Sequence, residues 1–256
     1  ATVSNVNEGG STDTATAGSI TLSGASLGTS TGTPQTLALG SGTGGAASVG
    51  GMLNLTATAG NIFVSSDAAL RVKDITTQAA TANTVDIRTT GGKAIVFDST
   101  GTYTNVSGSG TANNGDAITV VTDTTGGTVT FNKALDAGSI TVNAGDAVVV
   151  NQNLSTTAVN TSGGGAGTNA VSGGVTLTAA GSISGAGTIS TGAATADDAN
   201  TGGTSTTANS GSISLTGTGA NVQLGKLTTG AATVSNVNEG GSTDTATAGS
   251  ITLSGA

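Results

Sequence analysis

The chain contains no cysteine and no histidine. Ser-His-Asp and Cys-His catalysis are therefore impossible. No disulfide can staple the fold, but a stack of coils needs none, because each coil is buttressed by its neighbours. There is no tryptophan, and Phe63, Phe97, Tyr103 and Phe131 are the only aromatics. Proline occurs once, at Pro34. Charged residues make up 8% of the chain, against about a quarter in an average domain. Six Lys and Arg cannot form a stripe that tracks phosphates, so a nucleic-acid partner is excluded. No apolar run approaches the roughly 20 residues of a membrane-spanning helix.

What remains is glycine, 44 of 256 residues, with Thr, Ala, Ser, Asn and Val. The net charge is −8 and the pI about 4.1. A low-complexity chain of this kind is either disordered or a β-solenoid. Disorder goes with low hydrophobicity and usually high net charge. Here 35% of residues are hydrophobic, mean hydropathy is +0.14, and the apolar residues fall in alternating clusters, which favours the solenoid.

Residues 1–25 recur letter for letter as residues 232–256, at an offset of 231. Two freely evolving copies would have drifted apart. The expected organisation is residues 1–231 as one repeat unit and 232–256 as the start of the next, within a tandem array. Large identical tandem units build fibres and are unusual in enzymes.

Short runs with period-two alternation recur along the chain. They start at Gly18, Met52, Asn61, Thr84, Ala94, Ala117, Gly127, Gly138, Gly174 and Gly211. Most place Ile, Leu, Val or Phe on one face and Ser, Thr, Asn or a charge on the other, as a half-buried strand requires. No run of ten or more residues has helical spacing. The inward set is expected to be Ile20, Leu22, Leu53, Leu55, Ile118, Val120, Ile140, Val142, Val175, Leu177, Ile213, Leu215, Ile251 and Leu253. Val175, Ile213 and Ile251 are spaced by 38. Less exact copies begin at Leu53, Val85, Ile118 and Ile140, giving coils of roughly 22 to 38 residues. Between strands run Gly/Thr/Ala-rich excursions at 24–50, 99–116, 155–173, 192–210 and 229–248, expected as long loops in a stripe along one side. The fold class is therefore all-β, a parallel β-helix of roughly seven to ten coils per unit, advancing roughly 35 to 48 Å at about 4.8 Å per coil.

The strings Gly138-Ser-Ile-Thr-Val-Asn-Ala-Gly, Gly173-Gly-Val-Thr-Leu-Thr-Ala-Ala-Gly-Ser-Ile-Ser-Gly and Gly187-Thr-Ile-Ser-Thr-Gly-Ala-Ala resemble filamentous-haemagglutinin-type exoproteins and other giant bacterial adhesins. The resemblance implies a right-handed parallel β-helix, export from a bacterium, and work at the cell surface in adhesion, biofilm or fibre formation. Members carry an N-terminal secretion domain with an Asn-Pro-Asn motif, which is absent here, leaving the export route open. The partners implied are further copies of the unit, head to tail or side by side, and surface glycans.

Candidate sites are few. Of the acids, Asp67, Asp74, Asp86 and Asp98 form the densest group, without the aromatic platforms that polysaccharide cleavage would want. No catalytic or cofactor residue is assigned. Calcium is the one conceivable ion: Glu8 with Asp13, and Asp197 with Asp198, offer hard oxygen ligands. Gly164-Gly-Ala-Gly-Thr-Asn is a single degenerate copy of a calcium-binding glycine repeat. Thr176/Thr178, Ser214/Thr216 and Thr252/Ser254 should form hydroxyl rows on the wet face, either a flat surface for ice or glycan or ordinary strand surface. Asn54, Asn105, Asn153 and Asn160 head glycosylation-type triplets.

Overall fold

The computed structural model describes residues 19–37, 51–78, 81–107, 115–163, 168–198, 205–236 and 244–256. Regular structure among them is β-strand throughout, with no helix. Every strand pairing is parallel, and no sheet closes into a barrel.

The chain visits its sheets in a fixed cycle. Four early passes use two strands each: β1 (Ile20–Gly24) and β2 (Gln35–Leu37), β3 (Gly51–Ala57) and β4 (Ile62–Ser66), β5 (Leu70–Thr76) and β6 (Thr84–Thr89), β7 (Ile95–Thr104) and β8 (Ala117–Thr122). A fifth pass inserts a strand between them: β9 (Val129–Phe131), β10 (Leu135–Ala137) and β11 (Ser139–Ala144). Three later passes have five strands. They are β12 (Val148–Val150), β13 (Leu154–Thr156), β14 (Val159–Gly163), β15 (Asn169–Val171) and β16 (Val175–Ala179); then β17 (Ile183–Ser184), β18 (Ile189–Ser190), β19 (Ala194–Asp198), β20 (Thr207–Asn209) and β21 (Ile213–Gly217); then β22 (Val222–Gln223), β23 (Leu227–Thr228), β24 (Ala232–Asn236), β25 (Thr245–Thr247) and β26 (Ile251–Ser254). The first sheet runs β1-β3-β5-β7-β9-β12-β17-β22 and the second β2-β4-β6-β8-β11-β16-β21-β26. A third holds β10-β13-β18-β23, and two three-stranded sheets hold β14-β19-β24 and β15-β20-β25.

All ten alternating runs contain a strand. Alternation buries one side of each: β8 and β11 carry Ile118, Val120, Ile140 and Val142 inward, all essentially inaccessible. The strands that alternation does not reveal are mostly two or three residues long, such as β17 and β23, too short to show a period. Strand β5 is longer, but its ladder shifts register between Val72 and Asp74. There Asp98–Gly101 loop out of β7 opposite Lys73. Gly101 is required, because a Cβ on it would stand 2.3 Å from the Lys73 carbonyl oxygen.

The 38-residue spacing is a stacking period. Val175 lies opposite Ile213 and Ile213 opposite Ile251; Leu177, Leu215 and Leu253 follow the same register. Val85, Ile118 and Ile140 stand in line below them in the second sheet. Leu53 does not belong to this series. It pairs with Ile20 and Val72 in the first sheet, and the second-sheet position of its pass is taken by Ile62. The Ile-x-Leu pattern reports a half-buried strand and carries no mark of which sheet it joins.

The late excursions are not plain loops. Residues 155–173, 192–210 and 229–248 contain β14 and β15, β19 and β20, and β24 and β25, stacked in register; β15, β20 and β25 step by 38 residues, as do β19 and β24, while β14 lies 35 residues before β19. Their two sheets close on a second small core of Val159, Ala170, Ala194, Ala196 and Ala208. Alanine suits this site because it lets two backbones approach closely at no cost in side-chain entropy. The result is a thin fin beside the main core, which gathers the Leu, Ile, Val and Phe of the first three sheets. Within that core the Phe97 and Phe131 rings stack at 4.6 Å between successive strands, and Tyr103 meets Phe97 edge-on.

Of the expected inward set, Ile20 and Leu22 are only partly buried, and Ile251 and Leu253 are exposed, 43% and 56%. These residues sit on the first and last strands, which have a neighbour on one side only. Leu215→Asp should disrupt the stack locally, since an unpaired buried charge costs several kcal/mol. Thr176→Asp, on the outer face of β16, should change stability by about half a kcal/mol or less. Urea melts of the two variants check the contrast, and equal losses would refute the inside–outside assignment.

Candidate functional site

The most ordered polar feature is the neck between main core and fin. Four hydroxyls alternate there with glycine backbone. Thr156 Oγ1 donates to the Gly173 carbonyl at 2.7 Å and accepts from the Gly192 N–H at 3.0 Å. Ser172 Oγ donates to Gly192 O at 2.6 Å and accepts from Gly211 N–H at 2.8 Å. Thr191 repeats this with Gly211 and Gly230, and Ser210 with Gly230 and Gly249. All four hydroxyl residues are buried. A buried hydroxyl left unpaired costs free energy, so a continuous spine is stable only if every rung is present.

Glycine is a steric necessity on both walls of this spine. A Cβ on Gly173, Gly211 or Gly249 would stand 1.9 Å from the carbonyl oxygen of the glycine one pass below. On the facing wall, a Cβ on Gly230 would stand 2.2 Å from Gly192 O. The first glycine of Gly173-Gly-Val, Gly211-Ser-Ile and Gly249-Ser-Ile is therefore a packing position. The period was legible in the sequence, but the pairing of hydroxyl with glycine was not, since the partners lie 17 to 39 residues apart. At the position of Ser172 and Ser210 the last pass has Ala248, in register by the same 38-residue step, so this column of hydroxyls stops there.

Ser172→Ala should cost about 1–3 kcal/mol by stranding the Gly192 carbonyl and the Gly211 N–H. Hydrogen exchange at the Gly211 amide should accelerate while exchange in β3 and β5 stays unchanged; uniform acceleration would mean the spine is not a local clamp.

The acids have structural partners. Asp98 accepts from Thr100 N–H and Oγ1 at 2.8 and 2.7 Å and from Arg71 Nε. Burial pushes its carboxyl up, but the hydrogen bonds from Thr100 and the guanidinium of Arg71 outweigh it, leaving it below the usual range. Asp86 is buried and held by Arg88, Nε to Oδ1 at 2.5 Å and Nη2 to Oδ2 at 2.8 Å. Asp74 accepts the Thr102 N–H at 3.0 Å. Asp123 accepts the backbone N–H groups of Gly91 and Gly92, clamping one turn to the turn of the preceding pass. Of the four acids in the densest group, Asp74 and Asp98 thus serve the bulge and Asp86 pairs with Arg88 within β6.

Glu8 and Asp13 lie outside the described residues, as do Gly164–Gly167. The copy of Asp13 is Asp244, whose Oδ1 accepts the Thr206 N–H at 2.9 Å across one pass. Asp197 lies in β19, where its Oδ1 accepts from Ser235 Oγ at 3.0 Å; Asp198 pairs along the backbone with Gly163 and Asn236. Among the described residues no three His, Cys, Asp or Glu are grouped to hold a metal ion. Of the glycosylation-type asparagines, Asn54 donates to Thr21 Oγ1 at 3.3 Å, Asn105 to the Thr77 carbonyl at 2.8 Å, and Asn153 accepts from Thr188 N–H at 3.2 Å.

Asp116 is fully buried, its Oδ1 accepting the Asn83 N–H at 2.8 Å. Burial pushes its carboxyl above the usual range despite these hydrogen bonds. A carboxyl raised in the folded state binds more protons there than in the unfolded chain, so its contribution to stability falls as pH rises from the unfolded pKa, about 3.9, through the folded one. Asp116→Asn should remove that fall: the stability difference between variant and parent, from urea melts at pH 4 and pH 7, should shift in the variant's favour at pH 7. A pH-independent difference would show that Asp116 does not titrate differently on folding.

The outer face of the second sheet carries the hydroxyl rows. Thr119, Thr141, Thr176, Ser214 and Thr252 stand in register, and Thr178, Thr216 and Ser254 form a second row. Beside the second row, at the corner toward the first sheet, lies an open groove of about 260 Å³ lined by Thr122, Asn143, Ala144, Thr178, Ala179 and Thr218.

No family model, no curated protein and no solved structure matches this chain.

Proposed function

We propose that this chain is a structural repeat of an extracellular bacterial fibre or surface filament, built of β-solenoid units joined head to tail. The observation that carries the reading is the exact recurrence of residues 1–25 as residues 232–256 in a chain whose strands stack parallel and in register. Ile251 and Leu253 are exposed while Ile213 and Leu215, one pass below in the same rows, are sealed. Ala246 is likewise exposed above buried Ala208. A further pass would bury all three. The mechanism is mechanical: backbone hydrogen bonds along the axis and stacked apolar rows resist extension, and each unit seals the end of the one before it.

The cycle of sheets reads as eight coils, with the right-handed crossover that parallel strands almost always adopt. A 231-residue unit spans seven complete passes and part of an eighth, which at about 4.8 Å per pass gives an advance of roughly 36 Å. The resemblance to filamentous-haemagglutinin-type exoproteins agrees with the cell-surface setting. A second reading, an adhesin stalk that binds glycans, draws on the hydroxyl rows and the groove beside them. The buried Phe97 and Phe131 weigh against that reading and against a polysaccharide-cleaving enzyme, since they leave the rows without an aromatic platform.

Electron microscopy of chains carrying one, two and three units tests the proposal. Rods that lengthen by roughly 36 Å per unit are expected. Discrete particles whose length does not follow unit number would overturn it, and tight binding to a glycan array by a single unit would favour the adhesin.

A further inference from the structure

Identical strands sit in different sheets at the two ends of the chain. Ile20-Thr-Leu-Ser forms β1, the first strand of the first sheet, with Ile20 opposite Leu53 and Leu22 opposite Leu55. Ile251-Thr-Leu-Ser forms β26, the last strand of the second sheet, with Ile251 opposite Ile213 and Leu253 opposite Leu215.

The two placements are compatible, because a strand has two edges. Strand β1 uses the edge that faces the following pass and leaves the other bare. Strand β26 uses the edge that faces the preceding pass and leaves the following one bare. Both present the Ile-x-Leu side inward, and both registers fall on the same residues of the motif. Superposed, they make one central strand with β21 on one side and β3 on the other, in a continuous row of Ile213, Ile251 and the next unit's Leu53. The exposed Ile251 and Leu253 then lie beneath Leu53 and Leu55, which in this structure cover their counterparts Ile20 and Leu22.

We infer that in the tandem array the first sheet of each unit grows on the second sheet of the unit before it. The partner of the open edge is a second copy of this unit, and the segment that covers it is that copy's β3. This rests on the head-to-tail reading above and adds the geometry of the joint. Sheets exchange places at every junction, so consecutive units are related by a screw that carries the first sheet's place onto the second's. The connection allows it. The step from second sheet to first is short, four residues from Ala179 to Ile183 and five from Gly217 to Val222. The corresponding step from Gly24, the last residue of β1, to Leu27, which bridges to Ile62 on the neighbouring strand, is three residues.

The test uses the 256-residue chain extended by residues 26–231, so that residues 232–256 open a complete second unit. Paired cysteines report which strands are neighbours. Ser214→Cys with Thr252→Cys, and Thr252→Cys with Asn54→Cys in the second unit, should each cross-link under mild oxidation, and both links should be lost when the chain is denatured before oxidation. Ser250→Cys with Gln223→Cys, neighbours only if the repeated strand sits on the first sheet, should not. Cross-linking of that last pair, with loss of the Ser214–Thr252 link, overturns sheet exchange but leaves the head-to-tail fibre intact. A Ser214–Thr252 link without the link to the second unit's Asn54 also overturns it. If in addition the two units melt independently, the head-to-tail reading itself fails. The Ser214–Thr252 pair in the unextended chain shows that the substitutions permit folding.

Discussion

Parallel stacking in register is the constraint on which everything else rests. A parallel strand can be reached only after the chain has crossed over and come back. Each return must also bring an apolar residue to the row left by the previous pass, because a slip of one residue would turn the whole row outward. Rows such as Val85, Ile118, Ile140, Val175, Ile213 and Ile251 record six successive returns to one place. Backbone hydrogen bonds along the axis and burial across it are satisfied by the same event. The architecture needs no disulfide, few charges and almost no aromatic residue, because each pass is held by its neighbours above and below.

That constraint fixes rows and leaves the path between them free. The first four passes run from the first sheet to the second with no strand between, the fifth adds the third sheet, and the last three add the fin. The fin can exist only because the neck holds it at close quarters. Glycine lets the walls approach, and Thr156, Ser172, Thr191 and Ser210 satisfy the backbone groups that the approach would otherwise strand. Two of the sparse acids do similar work at irregular points, Asp98 with Arg71 at the bulge and Asp123 at the paired glycine turn. A unit so built has much of its polar chemistry directed at its own continuity.

The sequence by itself determined the class of fold. Alternation over runs such as Ala117-Ile-Thr-Val-Val and Gly138-Ser-Ile-Thr-Val requires strands with one wet face, and the 38-residue spacing of Val175, Ile213 and Ile251 requires stacking. These are local or periodic signals, carried by residues whose own hydropathy and spacing encode the outcome. Tertiary structure alone decided which sheet each strand joins, since Ile20 and Ile251 share a sequence and differ in place. It also decided that the late excursions are paired strands on an alanine core, because β15 and β20 are too short to show a period and alanine is ambiguous between surface and core. The hydroxyl–glycine neck was out of reach for the same reason: a serine and the glycines it joins lie a pass apart, and what makes them partners is the stacking distance between coils, a property of the assembled fold and of no segment within it.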